Sequence, residues 1–452
     1  MPMVIIYLLV MLAVICIWFL LFKRPIYEGV IISFFVLVAM TGTWTNIWHY
    51  FTSSIKTSLL YSMVAFIAMS QILTKTKIID KCVMIIISLF GRIPGGAGYA
   101  SIIASSFMGS LSGSGPGNVM ATGAITIPAM KKTGFPAELA ANVESTASYL
   151  GNMIPPSSNI VAALGAYLAL YPASGMTTGT FWVVCWGISL WFILSRIVQL
   201  FIFCKVYKIK PMAKEDTPSL KQTLKEGWMG LLLPVVILLP FIFDSVFNAT
   251  FITQRLGKVG AKYFSSSLLI FVAGIASLYG ILCCKNKKDM NVHTIVDTFA
   301  KGVKGIAPIV ATCIFGYMIG ALFADINVGA ELQKVFESMS LSKVGLILLL
   351  PLLTCFVTMV IPGSSVVVMF GSVFITLFSA VGVNPLLAAA MLPCMCGVMC
   401  GITPPFALGM YAGMSIAESD FSKTLKNDLW WVLVQYVMEV IVLMGWLPII
   451  GL

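Results

Sequence analysis

The sequence predicts an all-α polytopic membrane protein built from two inverted repeats, with about ten crossings and two re-entrant helical hairpins. Three observations predict it. The first is composition: 59% of the 452 residues are hydrophobic and 10% are charged, at a mean hydropathy of +0.99. A soluble domain carries about 25% charged residues, so the chain leaves no room for a sizeable soluble part. The second is the stretch Gly109–Ser158, where two apolar arms flank a knot of small and turn-forming residues, Ser112–Asn118, and a further break follows at Pro155-Pro156. The third is that this pattern recurs, in order, in the second half of the chain.

The elements follow from the apolar runs. Residues 2–22 are apolar, but the positive pair Lys23-Arg24 comes after the run and no small-x-small cleavage site follows. That reads as a first transmembrane helix with its N-terminus outside, not a cleavable signal. Runs at 27–48 and 57–74 come next, then an amphipathic segment, Ile78–Phe90, expected to lie on the membrane surface. It leads into the first hairpin, 97–131. Each hairpin arm has ~13 apolar residues, or about 20 Å of helix, whereas a crossing needs about 20 residues. Each arm is therefore expected to stop near the middle of the bilayer, where irregular backbone survives only against protein or a water-filled cavity. Runs at 137–171, interrupted at the Pro pair, and 178–204 complete the first half, 1–204. Residues 205–227, with six lysines, read as a cytoplasmic linker. The second half, 228–452, has runs at 228–248, 263–284 and 304–324, a second amphipathic segment Val328–Met339, a hairpin at 344–380, a run at 385–417 interrupted at Pro404-Pro405, and a last run at 429–450.

Four matches in order carry the repeat. Gly113-Ser114 corresponds to Gly363-Ser364, Gly134-Phe135-Pro136 to Gly382-Val383-Asn384-Pro385, Ile154-Pro155-Pro156 to Ile402-Thr403-Pro404-Pro405, and Ala163–Tyr167 to Ala407–Tyr411. Each half then holds five crossings and a hairpin, and an odd number inverts the second half. Lysine placement agrees with inversion: Lys131-Lys132 at the base of the first hairpin falls in the cytoplasm, and the matching Ser379–Asn384 turn, without lysine, falls outside. Arg255, Lys258 and Lys262 are exceptions, in an outer loop.

The net charge of +11 is accounted for by short cytoplasmic loops, with no basic segment long enough for a nucleic-acid tail. Eleven cysteines are scattered through apolar runs; Cys394, Cys396 and Cys400 read as small packing residues, and no disulfide framework is implied.

The candidate site is the set of breaks. At a tip, carbonyls are freed at the end of one half-helix and amides at the start of the next. Carbonyls and hydroxyls of Ser112, Gly113, Ser114 and Gly115, with Gly363, Ser364 and Ser365 in the repeat, suit a hard cation such as sodium. Asn152 and Pro155, with Thr403 and Pro404, supply the same chemistry at the second pair of breaks, because proline removes donors and frees carbonyls upstream. The amides around Gly117 and Asn118 suit a carboxylate at a helix N-terminus, and Pro156, Ser157 and Pro405 join them as substrate candidates. Glu144, two turns before the Gly151-Asn152 break, is either a substrate-site carboxylate or a structural glutamate. Asp325 and Glu439, near the ends of spans, read as structural. No midplane arginine is evident. An intramembrane serine hydrolase is disfavoured because the chain holds only His49 and His293, both in predicted loops, so a serine would lack a base. A channel would use the same tips, but broken helices beside each hairpin favour a carrier.

With these residues in view, the chain resembles the large membrane subunit of the tripartite ATP-independent periplasmic (TRAP) transporters. The match is strongest from Arg92–Gly96 through Ser110–Ser114, then from Gly123–Lys131 to Ile154–Ser157, and extends weakly over nearly the whole chain. Gly134-Phe135 and Val143-Glu144 look most like the branch associated with TAXI-type binding proteins. The resemblance implies an elevator-type carrier in the inner membrane. It would import an organic anion with sodium and need no cofactor. It also implies two partners: a periplasmic substrate-binding protein and a small four-helix membrane subunit; the alternative is a stand-alone ion-coupled organic-anion carrier of the wider ion-transporter superfamily. The chain departs from the pattern at its second tip, where Val366-Val367-Val368 stand without the acidic residue that many members carry shortly after the glycine. That leaves a proton as an alternative coupling ion.

Overall fold

The computed structural model describes residues 3–56, 58–112, 115–284, 290–328, 331, 334, 342–359, 362–404 and 407–452. Among the described residues there is no β-strand. The chain enters through α1 (Met3–Cys16), extended by a π-helical turn, Ile17–Leu21, and returns through α2 (Ile26–Thr41), which Gly42 ends in the left-handed conformation. Then come α3 (Ile47–Lys56) and α4 (Ser58–Lys75). The amphipathic helix expected over Ile78–Phe90 has those bounds (α5).

Five helices, counting the broken 137–170 run as one, are long and apolar enough among the described residues to cross a membrane, and the bent pair Trp44–Lys56 and Leu60–Lys75 makes a sixth. Six further apolar helices are 10–17 residues long. The chain is thus a multi-pass membrane protein.

The first hairpin is α6 (Gly96–Ser112) and α7 (Gly115–Lys132). Its arms have 17 and 18 residues, longer than the ~13 expected from the apolar runs. The expected knot Ser112–Asn118 also shrinks: Gly115-Pro116-Gly117-Asn118 form the first turn of α7. The reason is physical. A first-turn proline gives up an amide that has no intrahelical partner there, and its fixed φ suits the helix. The second hairpin, α15 (Lys343–Thr358) and α16 (Gly363–Ala380), is built alike, with Pro362 before its second arm. The two hairpin bases close in the same way. Gly134 (φ +92°) and Gly382 (φ +79°) are left-handed, and the residue after each donates back to the carbonyl five residues earlier, Phe135 to Met130 and Val383 to Phe378.

Between the hairpins lie α8 (Ala137–Leu150), a break, α9 (Ser158–Leu170) and α10 (Thr178–Val206), which opens on a Thr177–Thr180 capping box. Every residue from Leu139 to Leu150 and from Ser158 to Leu164 is buried, so this broken helix is the axis of the fold. The segment read as a linker is helical in its last part. There α11 (Leu220–Leu231) lies on α5, with Gly227 and Gly230 against Lys81 and Cys82. Its lysines, Lys221 and Lys225, are exposed on the face away from α5, which is why the segment reads as polar.

The second half continues with α12 (Leu233–Phe247), α13 (Thr253–Leu282, bent at Gly257) and α14 (Val292–Asp325). Most of the second amphipathic segment, Val328–Met339, lies outside the described residues. After the second hairpin, α17 (Pro385–Leu392) passes into a π-helical turn, Pro393–Val398, and a 3-10 turn, Met399–Gly401, before α18 (Leu408–Ala417) and α19 (Phe421–Leu443). The irregularity therefore begins at Pro393, well before the Pro404-Pro405 pair that marks it in the sequence. The 29 residues of α10 span about 43 Å and index the two hairpins. Gly95, at the entry to the first, meets Cys204 near one end of α10. Thr376, toward the base of the second, shares a cavity with Thr178 at the other end.

Candidate functional site: the meeting of two tips and two breaks

The breaks converge. Asn152, in the first break, donates from Nδ2 to the carbonyl of Gly397 in the second at 2.6 Å. Gly363, which opens the second hairpin's inner arm, lies on the same segment: a Cβ there would stand 2.1 Å from the Cys396 carbonyl oxygen. Gly109, late in α6, and Gly151, in the first break, meet backbone to backbone, since a Cβ on Gly151 would stand 2.4 Å from Gly109.

Tyr149 joins the remaining parts. A Cβ added to Gly115, Gly401 or Gly409 would stand 2.4, 2.0 or 2.4 Å from its ring. One buried aromatic ring is thus enclosed by glycines from the first tip, the second break and the start of α18. The contacts at Gly115 fall on Cε2 and Cζ, the hydroxyl-bearing end of the ring.

The candidate residues fall into three groups. Gly115, Asn152, Gly363, Ser365 and Thr403 sit at this meeting, and all five are buried. Thr403 donates its hydroxyl to the Met399 carbonyl at 2.7 Å. The Ser365 amide donates to Pro362 at 3.0 Å. Ser364, Pro155, Pro156 and Pro404 occupy the same turns, and the Pro155-Pro156 bond is cis. A second group is engaged locally. Ser157 accepts from the Asn159 amide and caps α9. Asn118 spends its Nδ2 donors on the Ser105 carbonyl and Ser148 Oγ. Gly117 lies in the first turn of α7. Glu144 is fully buried, and its two oxygens accept from the hydroxyls of Ser101, Thr122, Thr126 and Ser148, tying α6, α7 and α8 together. The third group, Gly113, Ser114 and Pro405, lies outside the described residues, as does the side chain of Ser112.

Asp325 accepts from Asn46 and Tyr50, and Glu439 from Gln435 and Cys394. An arginine does lie within the membrane, where none was evident in the sequence. Arg196, buried midway along α10, donates to the Trp431 carbonyl at 3.0 Å and to Gln435 Oε1 at 2.8 Å, and so fastens α10 to α19.

A separate cavity of about 960 Å³ opens among the ends of α3, α9, α10, α13, α14 and α16. Its wall reaches Val368 in the second turn of α16, and none of the candidate residues above lines it.

The family model for the tripartite ATP-independent periplasmic transporter, DctM component, matches residues 3–450. The chain belongs to this family. Its fold is also that of a solved transporter: the Neisseria gonorrhoeae antimetabolite efflux pump MtrF superposes with a TM-score of 0.64 at 13% identity, over 90% of this chain and 84% of that one. Two relatives, both from Vibrio cholerae, show the spread within the family. The C4-dicarboxylate TRAP transporter large permease protein DctM is 26% identical over 413 residues, 86% of each chain. The sialic acid TRAP transporter large permease protein SiaM is 22% identical over 353 residues, 76% of this chain and 74% of that one. The DctM family is a transporter component, not an enzyme.

The sequence places a cation at these breaks. A hard cation needs oxygen donors, and the meeting point offers them. The Cys396 carbonyl faces Gly363, and Asn159 Oδ1, beside Gly397, is buried without a hydrogen-bond partner among the described residues. Sequence reasoning missed Tyr149, Asn159, Cys396 and Gly397. The signal for Tyr149 was present but dispersed: Gly115 and, far along the chain, Gly401 and Gly409 mark the room its ring takes.

Proposed function

We propose that this chain is the large permease of a tripartite system that imports an organic anion across the inner membrane, coupled to sodium. The observation that carries the reading is the convergence of both tips and both breaks on Tyr149 and the Asn152–Gly397 bond, which gathers backbone carbonyls and Asn159 Oδ1, unpaired among the described residues, at one place. Sodium, as cargo, would be held by Gly115, Asn152, Gly363, Ser365 and Thr403, with Asn159 added. The carboxylate would meet the N-terminal turn of α7. In V. cholerae one relative is named for a C4-dicarboxylate and the other for sialic acid, two organic acids of different size, which supports an anion as the class. The hairpin units would move as an elevator against α10 and α12–α14, with the N-terminus outside and the two halves inverted. A periplasmic binding protein would deliver the substrate, and a separate small membrane subunit would complete the system.

The test is uptake into proteoliposomes of labelled succinate and of sialic acid, with and without an inward sodium gradient. Sodium-dependent uptake of either supports the reading. A second coupling ion is favoured by one observation, the carboxylate-free second tip at Val366-Val367-Val368. Uptake that ignores sodium and follows a pH gradient would establish the proton in its place.

A further inference from the structure

Lysines on the outer side of a membrane protein run against the bias that sets orientation, so Lys258 needs another reason to be where it is. The 960 Å³ cavity supplies one. Lys258 follows the kink at Gly257 (φ +71°), and Lys56 ends α3; both are exposed and both line the cavity. They are the only charged side chains among its described lining residues. Neither forms an ion pair among the described residues. Asp325, at the nearby end of α14, is not part of the wall and is held by the neutral donors Tyr50 and Asn46. The N-terminus of α10, at Thr177 and Thr178, faces the same space with its positive end, and the C-terminal ends of α3, α9 and α14 face it with their negative ends, so the two lysines carry the net positive charge of the wall. Arg255, another cation of this loop, stacks on Phe251 and stays off the wall.

We propose that Lys56 and Lys258 form an anion-capture station at the mouth of this cavity. A cleft with charge of one sign and low-dielectric walls focuses field lines and concentrates the oppositely charged solute. The solute is a small organic anion on its way to the tips, beyond Val368. That last step rests on the carrier reading; the positive potential does not, and it is the potential that the experiment reads.

A cysteine is placed on the cavity wall in the full chain (Ser372→Cys) and another on the same face but off the wall (Trp48→Cys). Each is modified from outside with an anionic sulfonatoethyl and a cationic trimethylammonioethyl methanethiosulfonate, and the parent chain corrects for native cysteines. The anion-to-cation rate ratio should be about tenfold higher at Ser372→Cys than at Trp48→Cys. It should fall to within about twofold of the control in the Lys56→Gln, Lys258→Gln double variant, and likewise at 1 M salt, where the screening length is about 3 Å. Equal ratios at the two positions, a ratio unmoved by removing both lysines, or a wall cysteine that neither reagent reaches from outside would each overturn the proposal. Should uptake assays reject sodium or the anion while these ratios hold, only the carrier reading fails.

Discussion

Gly115, Gly401 and Gly409 each lack the one atom that would collide with the Tyr149 ring. Gly115 precedes Pro116 in a tip, which is a backbone reason for a glycine. The structure adds a packing reason that no local reading contains, because Tyr149, Gly401 and Gly409 reach the same place through separate elements. Valine at Gly115 puts its Cβ 2.4 Å from the ring, and a fully buried ring has nowhere to go without moving a tip or a break. We predict that Gly115→Val abolishes uptake while the protein still inserts and purifies. Gly401→Ala, whose Cβ would stand 2.0 Å from the ring, should do the same. Pairing Gly401→Ala with Tyr149→Ala should restore part of the uptake, with a coupling energy of about 0.5–3 kcal/mol. Uptake by Gly401→Ala at the parent rate would mean that the ring is not held as described.

Helices α6, α7 and α8 share a knot that the sequence half disclosed. A glutamate in an apolar helix was evident, but its partners Ser101, Thr122 and Thr126 belong to two arms of a hairpin and show no pairing pattern in one dimension. Removing Glu144 deprives four hydroxyls of their acceptor. Thr122 and Thr126 already lie within reach of carbonyls one turn back, at 2.8 and 3.1 Å, and can turn to them. Ser101 and Ser148 have no such alternative among the bonds seen. With an unpaired buried hydroxyl costing about 1–3 kcal/mol, Glu144→Ala should lower stability by on the order of 3 kcal/mol, read as a drop in melting temperature in detergent. Glu144→Gln keeps an acceptor and should lose far less. Equal melting temperatures for parent and alanine variant would remove the knot from the account. The bond between the two breaks makes a different prediction. Asn152→Ala deletes the side-chain link to the Gly397 carbonyl and should weaken apparent sodium affinity about tenfold, as a loss of about 1.4 kcal/mol does. An unchanged sodium dependence would show that the breaks do not share an ion.

Across the whole molecule, apolar periodicity located the hairpins, the amphipathic α5 and the first break, because each is written in consecutive residues. It misjudged the hairpin arms, because Gly115-Pro116-Gly117-Asn118, which read as a knot, open α7 with a first-turn proline that suits the helix. It also misjudged the start of the second break, since Pro393–Gly401 is as apolar as any span. How the hairpins enter the membrane is the remaining question of scale, and α10 frames it. Near its Val206 end, the Lys210 amide donates to the Thr133 carbonyl at the first hairpin's base, and Lys132 pairs with Asp216 at 2.7 Å. Near its Thr178 end lies the cavity that Ser372 and Thr376, toward the second hairpin's base, also line. A helix about 43 Å long exceeds the ~30 Å hydrocarbon core, so its two ends belong to opposite aqueous phases if it crosses. Lysine bias then puts the Lys132 end in the cytoplasm. Single cysteines at Lys132 and Ala380, both exposed and in a background without other reactive thiols, should therefore label from opposite sides of the membrane, with Ala380 reached by impermeant reagent in intact cells and Lys132 only after permeabilisation. Labelling of both from one side would reject the inverted arrangement and, with it, an outward-facing mouth for the cavity between Lys56 and Lys258.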